Sequence, residues 1–202
     1  MFRHTIPSII QLFTPSVTWK VKTTDKVLYL TFDDGPHPSI TPFVLNELKK
    51  YNAKATFFCV GENVLRYPEV VKETLLQGHQ IGNHTHNHLS GWRTHNKAYE
   101  QNIELAAKVI DSKLFRPPYG QITPGQIQLL KSKYTIVMWD VLTMDYQKGL
   151  NTKRALKYSY YFTKPGSIVV FHDSEKAFTQ LKVMLPAFLE KYHRLGYRFE
   201  TL

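Results

Sequence analysis

The chain has almost no cysteine. Cys59 is the only one among 202 residues, so an intramolecular disulfide is excluded. A single thiol is compatible with a reducing compartment. Cys59 lies in the apolar run 55–60, where we expect a buried, unreactive thiol rather than a nucleophile.

Long hydrophobic runs are also missing. The N-terminal segment 1–11 holds only a short apolar patch, interrupted by Pro7 and closed by Gln11. It is too short for the apolar region of a signal peptide or for a membrane span. We therefore expect no export signal, no integral membrane segment and a cytoplasmic location.

Repeats, low-complexity tracts and linkers rich in Pro, Gly or Ser are absent. Hydrophobic residues make up 43% of the chain and charged residues 21%, which is typical of a globular protein. We therefore expect one domain over residues 1–202. The sequence does not give the oligomeric state, and a monomer is favoured. Aromatic residues, 13% of the chain, are interpreted mainly as core, with the lining of a sugar cleft as the alternative.

Dense blocks of like charge are lacking as well. The net charge is +10, but basic residues are spread along the chain and no aromatic-basic motif accompanies them. A nucleic-acid partner is therefore not expected. The diffuse positive field gives only weak support for an anionic cell-wall polymer or membrane surface.

Short runs rich in β-branched and aromatic residues alternate with longer amphipathic segments. Strands are predicted at 27–32, 55–60, 80–83, 113–115, 135–140, 167–171 and 197–201. Helices are predicted at 42–51, 69–77, 96–111, 124–131, 152–162 and 175–193. This alternation indicates an α/β fold built from parallel βαβ units, with seven strands in a barrel-like arrangement.

Residues suited to catalysis cluster after these predicted strands. They are Asp33 and Asp34 after the first strand, His84 after the third, Arg116 after the fourth, Asp140 and Asp145 after the fifth, and His172 after the sixth. In α/β barrels the active site lies at the C-terminal ends of the strands. The sequence therefore predicts that these side chains converge.

Two of these segments together supply a set of metal ligands. Asp33 and Asp34 precede Gly35 in a strong turn signal, and two adjacent carboxylates would repel each other without a cation nearby. His84 and His88 are four residues apart, so a helical turn would place both on one face. Two imidazoles and a carboxylate favour Zn²⁺, with Co²⁺ or another divalent transition ion as the alternative.

Five segments in order resemble the polysaccharide deacetylases of carbohydrate esterase family 4. They are Thr31-Phe-Asp-Asp-Gly35, His84-Thr-His-Asn-His88, Arg116-Pro-Pro-Tyr-Gly120, Trp139-Asp-Val-Leu-Thr-Met-Asp-Tyr146 and Val170-Phe-His172. The first three match closely and the last two more loosely. The resemblance spans residues 31–172 and implies an irregular (β/α)₇ barrel.

The resemblance also implies roles for individual residues. Asp34, His84 and His88 would bind the metal, and Asp33 would be the general base that activates water, with Arg116 holding it in place and ionised. The implied oxyanion donor is the backbone N–H of Tyr119. His172 would protonate the leaving amine, with Asp145 orienting it and raising its pKa. The substrate pocket would be lined by Tyr119, Trp139, Tyr146 and Val170.

The chain departs from the family pattern in the two looser segments. Leu142 stands where the first acid of the fourth segment is usual, and Tyr146 where a Trp is usual. Asp140 is a candidate substitute for the missing acid, or else a cap at a strand end. Val170 replaces a Leu. These differences concern substrate preference and turnover more than the type of reaction.

The function implied is metal-dependent removal of N-acetyl groups from amino sugars in peptidoglycan or a chitin-like glycan. Three alternatives remain open: hydrolysis of a small non-glycan amide, glycan O-deacetylation, and glycan binding without catalysis. The complete set of chemical groups argues against the last. Many family members act at the cell envelope, in contrast to the cytoplasmic location expected from the N-terminus.

Overall fold

The computed structural model describes residues 14–202. The segment 1–11, for which no export signal is expected, lies outside the described residues. Within the described range, no helix has both the length and the apolar character needed to cross a bilayer.

Nine strands in the described part of the chain form one sheet. They are β1 (Val17–Thr18), β2 (Val27–Asp33), β3 (Ala55–Cys59), β4 (Gln80–Asn83), β5 (Leu114–Phe115), β6 (Thr135–Val137), β7 (Val141–Leu142), β8 (Ile168–His172) and β9 (Arg198–Phe199). The strand order is β1-β6-β5-β4-β3-β2-β8-β7, with β9 beside β2. All pairs between these strands are parallel. Strands β2 to β8 form the curled sheet of an irregular (β/α)₇ barrel, which confirms the expected fold class.

Within residues 14–202, seven α-helices accompany the sheet. They are α1 (Ile40–Lys49), α2 (Gly61–Arg66), α3 (Pro68–Leu76), α4 (Asn96–Ala107), α5 (Pro124–Leu130), α6 (Thr152–Phe162) and α7 (Glu175–Arg194). Short 3₁₀ turns occur at Gly91–Arg93 and Pro118–Gly120. Six helices overlap the predicted ones. The six residues of α2 were missed because so short a helix shows no clear apolar period.

The fifth predicted strand was wrong in detail. In place of one strand at 135–140, β6 ends at Val137 and β7 begins at Val141. Asp140 lies between them, and its carboxylate accepts hydrogen bonds from the Ile168 N–H at 2.7 Å and the Ser167 hydroxyl at 2.8 Å. It therefore caps the N-terminal ends of β7 and β8. This cap role corrects the expectation that Asp140 converges with the other site residues.

The two faces of β2 point into different environments because side chains alternate along a strand. Leu28, Leu30 and Phe32 pack in the apolar cluster that includes residues of α1 and α7. Thr31 and Asp33 instead face the buried guanidinium of Arg116. This alternation places the aspartate at the end of β2 inside the barrel mouth, where the site forms.

Candidate active site

Asp34, His84 and His88 form a cluster at the C-terminal ends of β2 and β4. One ligand atom from each lies within 4.8 Å of the others. The Oδ1 atom of Asp34 is 3.1 Å from Nε2 of His88 and 3.8 Å from Nε2 of His84. Two imidazole nitrogens and one carboxylate oxygen suit a divalent ion and leave a coordination position open. The residues present therefore fit a metal ion.

The two histidines come together through a loop, so the expectation of a helical turn was wrong. The segment after β4 contains two left-handed residues, Thr85 at φ 66° and His88 at φ 60°. Asn83 Oδ1 accepts the Thr85 N–H at 2.8 Å, and Thr85 Oγ1 accepts the Leu89 N–H at 3.1 Å. These side-chain bonds replace the helical backbone bonds and stabilise the loop.

His84 presents its Nε2 atom to Asp34. Its Nδ1–H donates to the backbone carbonyl of Arg116 at 2.8 Å, which fixes the tautomer and directs the other nitrogen to Asp34. Burial lowers the pKa of His84 to about 4. The imidazole is therefore neutral near pH 7, as a metal ligand must be.

Asp34 has a constrained backbone and two partners that the sequence analysis missed. Its φ is 82°, a conformation that is unusual for a residue with a side chain. Ser174 Oγ donates to its Oδ2 at 3.2 Å, and Asn63 Nδ2 donates to its carbonyl at 2.8 Å. Burial opposes ionisation, but the hydrogen bond from His88 and the nearby charge of His172 hold the pKa of Asp34 well below its usual range.

Asp33 points the other way, to a buried arginine. Arg116 is fully buried, and its Nη1 donates to Asp33 Oδ1 and to Thr31 Oγ1, both at 2.7 Å. The guanidinium also donates to the carbonyls of Met138 at 2.9 Å and Val137 at 3.3 Å. Burial lowers the pKa of Arg116 and Asp33 counters that effect. The pair fixes the Asp33 carboxylate at the cleft.

His172, at the end of β8, is paired with Asp145. Its Nδ1–H donates to Asp145 Oδ1 at 2.7 Å, and its backbone N–H donates to Oδ2 at 2.9 Å. Burial disfavours the imidazolium, yet the charge and hydrogen bond of Asp145 outweigh it and raise the pKa of His172 to about 9. Nε2 is the ring nitrogen that Asp145 does not engage, and His172 lines the cleft described below. The imidazole ring packs edge-on to the Tyr146 ring, with the two ring centroids 4.7 Å apart.

These groups share a cleft of about 550 Å³. Its lining includes the expected residues Tyr119, Trp139, Tyr146 and Val170, together with Leu142. It also includes Asn87, which lies in the second motif but was given no role, and four residues outside the motifs that were not predicted, namely Glu62, Asn63, Ser174 and Lys176.

Tyr119 forms an exposed wall of this cleft. It has a φ of 60°, lies on the 3₁₀ turn Pro118–Gly120, and is 65% exposed. Its ring packs edge-on to the His88 ring, with the two ring centroids 4.6 Å apart. The wall therefore stands directly beside the candidate metal ligands.

Comparison with known proteins agrees with this geometry. A sequence-family model described as polysaccharide deacetylase matches residues 20–135. A peptidoglycan-N-acetylglucosamine deacetylase of Bacillus cereus is 37% identical over 194 residues, which cover 92% of this chain and 91% of that protein. A chitooligosaccharide deacetylase of Azorhizobium caulinodans is 33% identical over 154 residues, covering 72% of this chain and 73% of that protein.

Solved structures show the same relationship. A crystal structure of a peptidoglycan N-acetylglucosamine deacetylase in complex with 4-naphthalen-1-yl-N-oxidanyl-benzamide is similar with a TM-score of 0.87 and 30% identity. The match covers 98% of this chain and 95% of that one. The fold, the clustered carboxylate and imidazoles and the sequence similarity agree, and the chain belongs to the polysaccharide deacetylase family.

Proposed function

We propose that residues 1–202 form a single metal-dependent deacetylase domain that removes N-acetyl groups from amino sugars in a glycan such as peptidoglycan or a chitin-like polymer. The observation that carries this proposal is the shared cleft. It joins the Asp34, His84 and His88 cluster to the pairs Asp33–Arg116 and His172–Asp145. Action at the cell envelope, where peptidoglycan lies, is part of this proposal.

Asp34, His84 and His88 would hold the ion, and Zn²⁺ suits their two nitrogens and one oxygen. When bound, the ion would polarise the acetyl carbonyl and acidify water. The neutral state of His84 and the ionised state of Asp34 prepare the ligands for binding without a large proton release.

Asp33 is the proposed general base. It is 4% exposed and lines the cleft next to the ligand Asp34. The hydrogen bond from Arg116 holds one carboxylate oxygen and leaves the other available to take a proton from the attacking water. Arg116 is therefore a positioning residue, and Asp33 is the group that receives the proton.

His172 is the proposed general acid. Amide hydrolysis requires protonation of the leaving nitrogen, because an amine does not leave as an anion. The charge of Asp145 keeps the His172 imidazole protonated near neutral pH, so it can deliver that proton from Nε2. The backbone N–H of Tyr119 is proposed to stabilise the oxyanion of the tetrahedral intermediate.

The exposed Tyr119 ring favours a glycan over a small amide. An aromatic side chain that is 65% exposed at the edge of a cleft provides a flat apolar face, which suits the ring of a sugar. Tyr146, Trp139 and Val170 would form the inner part of the pocket. The two named relatives deacetylate glycans of the proposed kind, as their descriptions state.

Acetate release from N-acetylglucosamine oligomers tests this function directly. The protein would be stripped of metal, then resupplied with Zn²⁺ or Co²⁺. We expect no release from the stripped protein and recovery with the ion. His84→Ala should lose both zinc binding and activity, whereas Asp140→Asn should lose neither, because Asp140 does not line the cleft. Failure of the zinc-loaded wild-type protein to release acetate from any N-acetylated glycan would overturn the proposal.

The pH dependence of activity tests the assignment of His172 as the general acid. Asp145→Asn removes the charge that raises the His172 pKa while leaving the burial that lowers it. His172 acts when protonated, so activity is present below its pKa and is lost as the pH rises through it. We therefore expect the basic limb of kcat/KM to move to lower pH in the variant. The imidazole pKa should fall from about 9 in an NMR titration of the metal-free protein. An unchanged titration would contradict the assignment.

A further inference from the structure

Asp173 is a buried carboxylate to which the motifs assign no role. It directly follows β8 and is 1% exposed. Its Oδ1 accepts the Gly35 N–H at 3.1 Å, and its Oδ2 accepts the Thr41 hydroxyl at 2.5 Å. One carboxylate therefore joins the turn after β2 to the first turn of α1.

The Thr41 hydroxyl extends this bridge. It accepts the His37 N–H at 2.8 Å, so its single proton is directed to Asp173. Both ends of the segment from Gly35 to Thr41 therefore donate hydrogen bonds to the Asp173 side chain. The main chain adds a further contact, since the Asp173 N–H donates to the Asp33 carbonyl at 3.1 Å.

The fit at Gly35 is close. A Cβ atom at that position would lie 2.2 Å from Asp173 Oδ2, so only glycine leaves room for the carboxylate. The Gly35 carbonyl accepts the Val60 N–H at 2.9 Å. The turn is therefore held on one side by Asp173, which follows β8, and on the other by Val60, which follows β3. We call the hydrogen bonds that Asp173 accepts from Gly35 and Thr41 the clamp.

This clamp acts next to Asp34, whose backbone is in the left-handed region at φ 82°. A non-glycine residue in a rarely populated conformation persists only when its surroundings enforce it. Relaxation toward an ordinary backbone conformation would swing the Asp34 carboxylate away from His84 and His88.

We propose that Asp173 is a positioning residue that holds Asp34 in its ligand-ready conformation through hydrogen bonds to Gly35 and Thr41. It does not line the cleft and is not one of the three proposed ligands. The inference rests on the proposed metal ligands and adds a residue whose effect reaches the ion through the backbone of the turn.

Zinc affinity, measured by competition with a chromophoric chelator, tests the proposal without relying on activity. Asp173→Ala should raise the zinc Kd by about 10- to 100-fold, the range seen when outer partners of metal ligands are removed. Asp173→Asn keeps an acceptor for Gly35 and can donate to Thr41. Its Kd should rise by no more than about fivefold, the scale of one ordinary hydrogen bond. Burial and the nearby Asp34 raise the pKa of Asp173 to about 7. The zinc affinities should therefore be measured at about pH 8, where Asp173 is ionised.

Asp140→Ala is the matched control. Asp140 also accepts one backbone N–H and one hydroxyl, but at the opposite ends of the strands. Its removal should lower thermal stability and leave the zinc Kd unchanged. Thr41→Val removes one half of the clamp at nearly constant volume, and it should weaken zinc binding even if Asp173→Ala does not fold.

The outcomes separate the two proposals. A wild-type protein that binds no zinc would defeat the ligand assignment itself. A wild-type protein that binds zinc, with Asp173→Ala or Thr41→Val at the same Kd, would overturn the role of Asp173 alone. Equal losses in Asp173→Ala and Asp173→Asn would assign the effect to charge and would likewise overturn positioning.

Discussion

Replacing Asp33 with Asn is expected to abolish turnover while zinc remains bound. The amide cannot take a proton from water, and general base catalysis contributes about 10²- to 10⁴-fold. The introduced amide keeps an oxygen that can accept from Arg116, and the proposed ligands Asp34, His84 and His88 are untouched. We therefore expect kcat to fall by about 10³-fold with zinc stoichiometry unchanged, measured by acetate release and metal analysis on the same preparation.

The control for this variant is Asp140→Asn, which makes the same chemical change outside the cleft and should keep the wild-type kcat. Circular dichroism would verify that both variants fold. Full activity in Asp33→Asn would show that another group is the base. Loss of zinc together with activity would show instead that Asp33 is part of the metal site.

Replacing Arg116 with Met is expected to have the largest effect on stability. The guanidinium is fully buried and donates to Asp33, Thr31 and two carbonyls. It also lies 4.1 Å from the ring centroid of Phe58. Removal of one partner of a buried ion pair costs about 3–5 kcal/mol, because the other charge stays buried without compensation. We expect a loss of this size in urea unfolding, together with a loss of activity as Asp33 is released.

Arg194→Met provides the comparison. Arg194 pairs with Glu190 at 3.7 Å with 79% of its side chain exposed, and exposed pairs contribute little. The same substitution there should leave stability and kcat essentially unchanged. Wild-type stability in Arg116→Met would contradict the view that the buried pair supports the site.

Much of the fold could be predicted because its signals are local. The runs at 27–32 and 80–83 and the amphipathic segment at 152–162 all lie within observed elements. Short elements such as β1 and α2 could not be predicted, since two to six residues carry no readable period. The break between β6 and β7 was missed because the partners of Asp140, Ser167 and Ile168, are distant in the sequence.

The candidate site, like the fold, could be predicted from the sequence only in part. The expectation of a helical turn at His84 and His88 came from spacing alone. Spacing does not show that Asn83 and Thr85 side chains bond the backbone into a loop. Ser174 and Asn63 carried no signal, because each acts through one hydrogen bond to Asp34. The pairs Asp33–Arg116 and His172–Asp145, by contrast, lie in segments that the resemblance identified.

By itself, the sequence determined the chemical groups, their order along parallel βαβ units, and the family to which they point. Only the tertiary structure decided how the groups are held. It directs Asp33 to a buried arginine and Asp34 to two imidazoles, and it buries Asp173 behind the turn that follows them. The bonds responsible join residues 83 and 138 positions apart. Contacts at that separation exist only once the sheet has curled and brought the strand ends together, which no local pattern specifies.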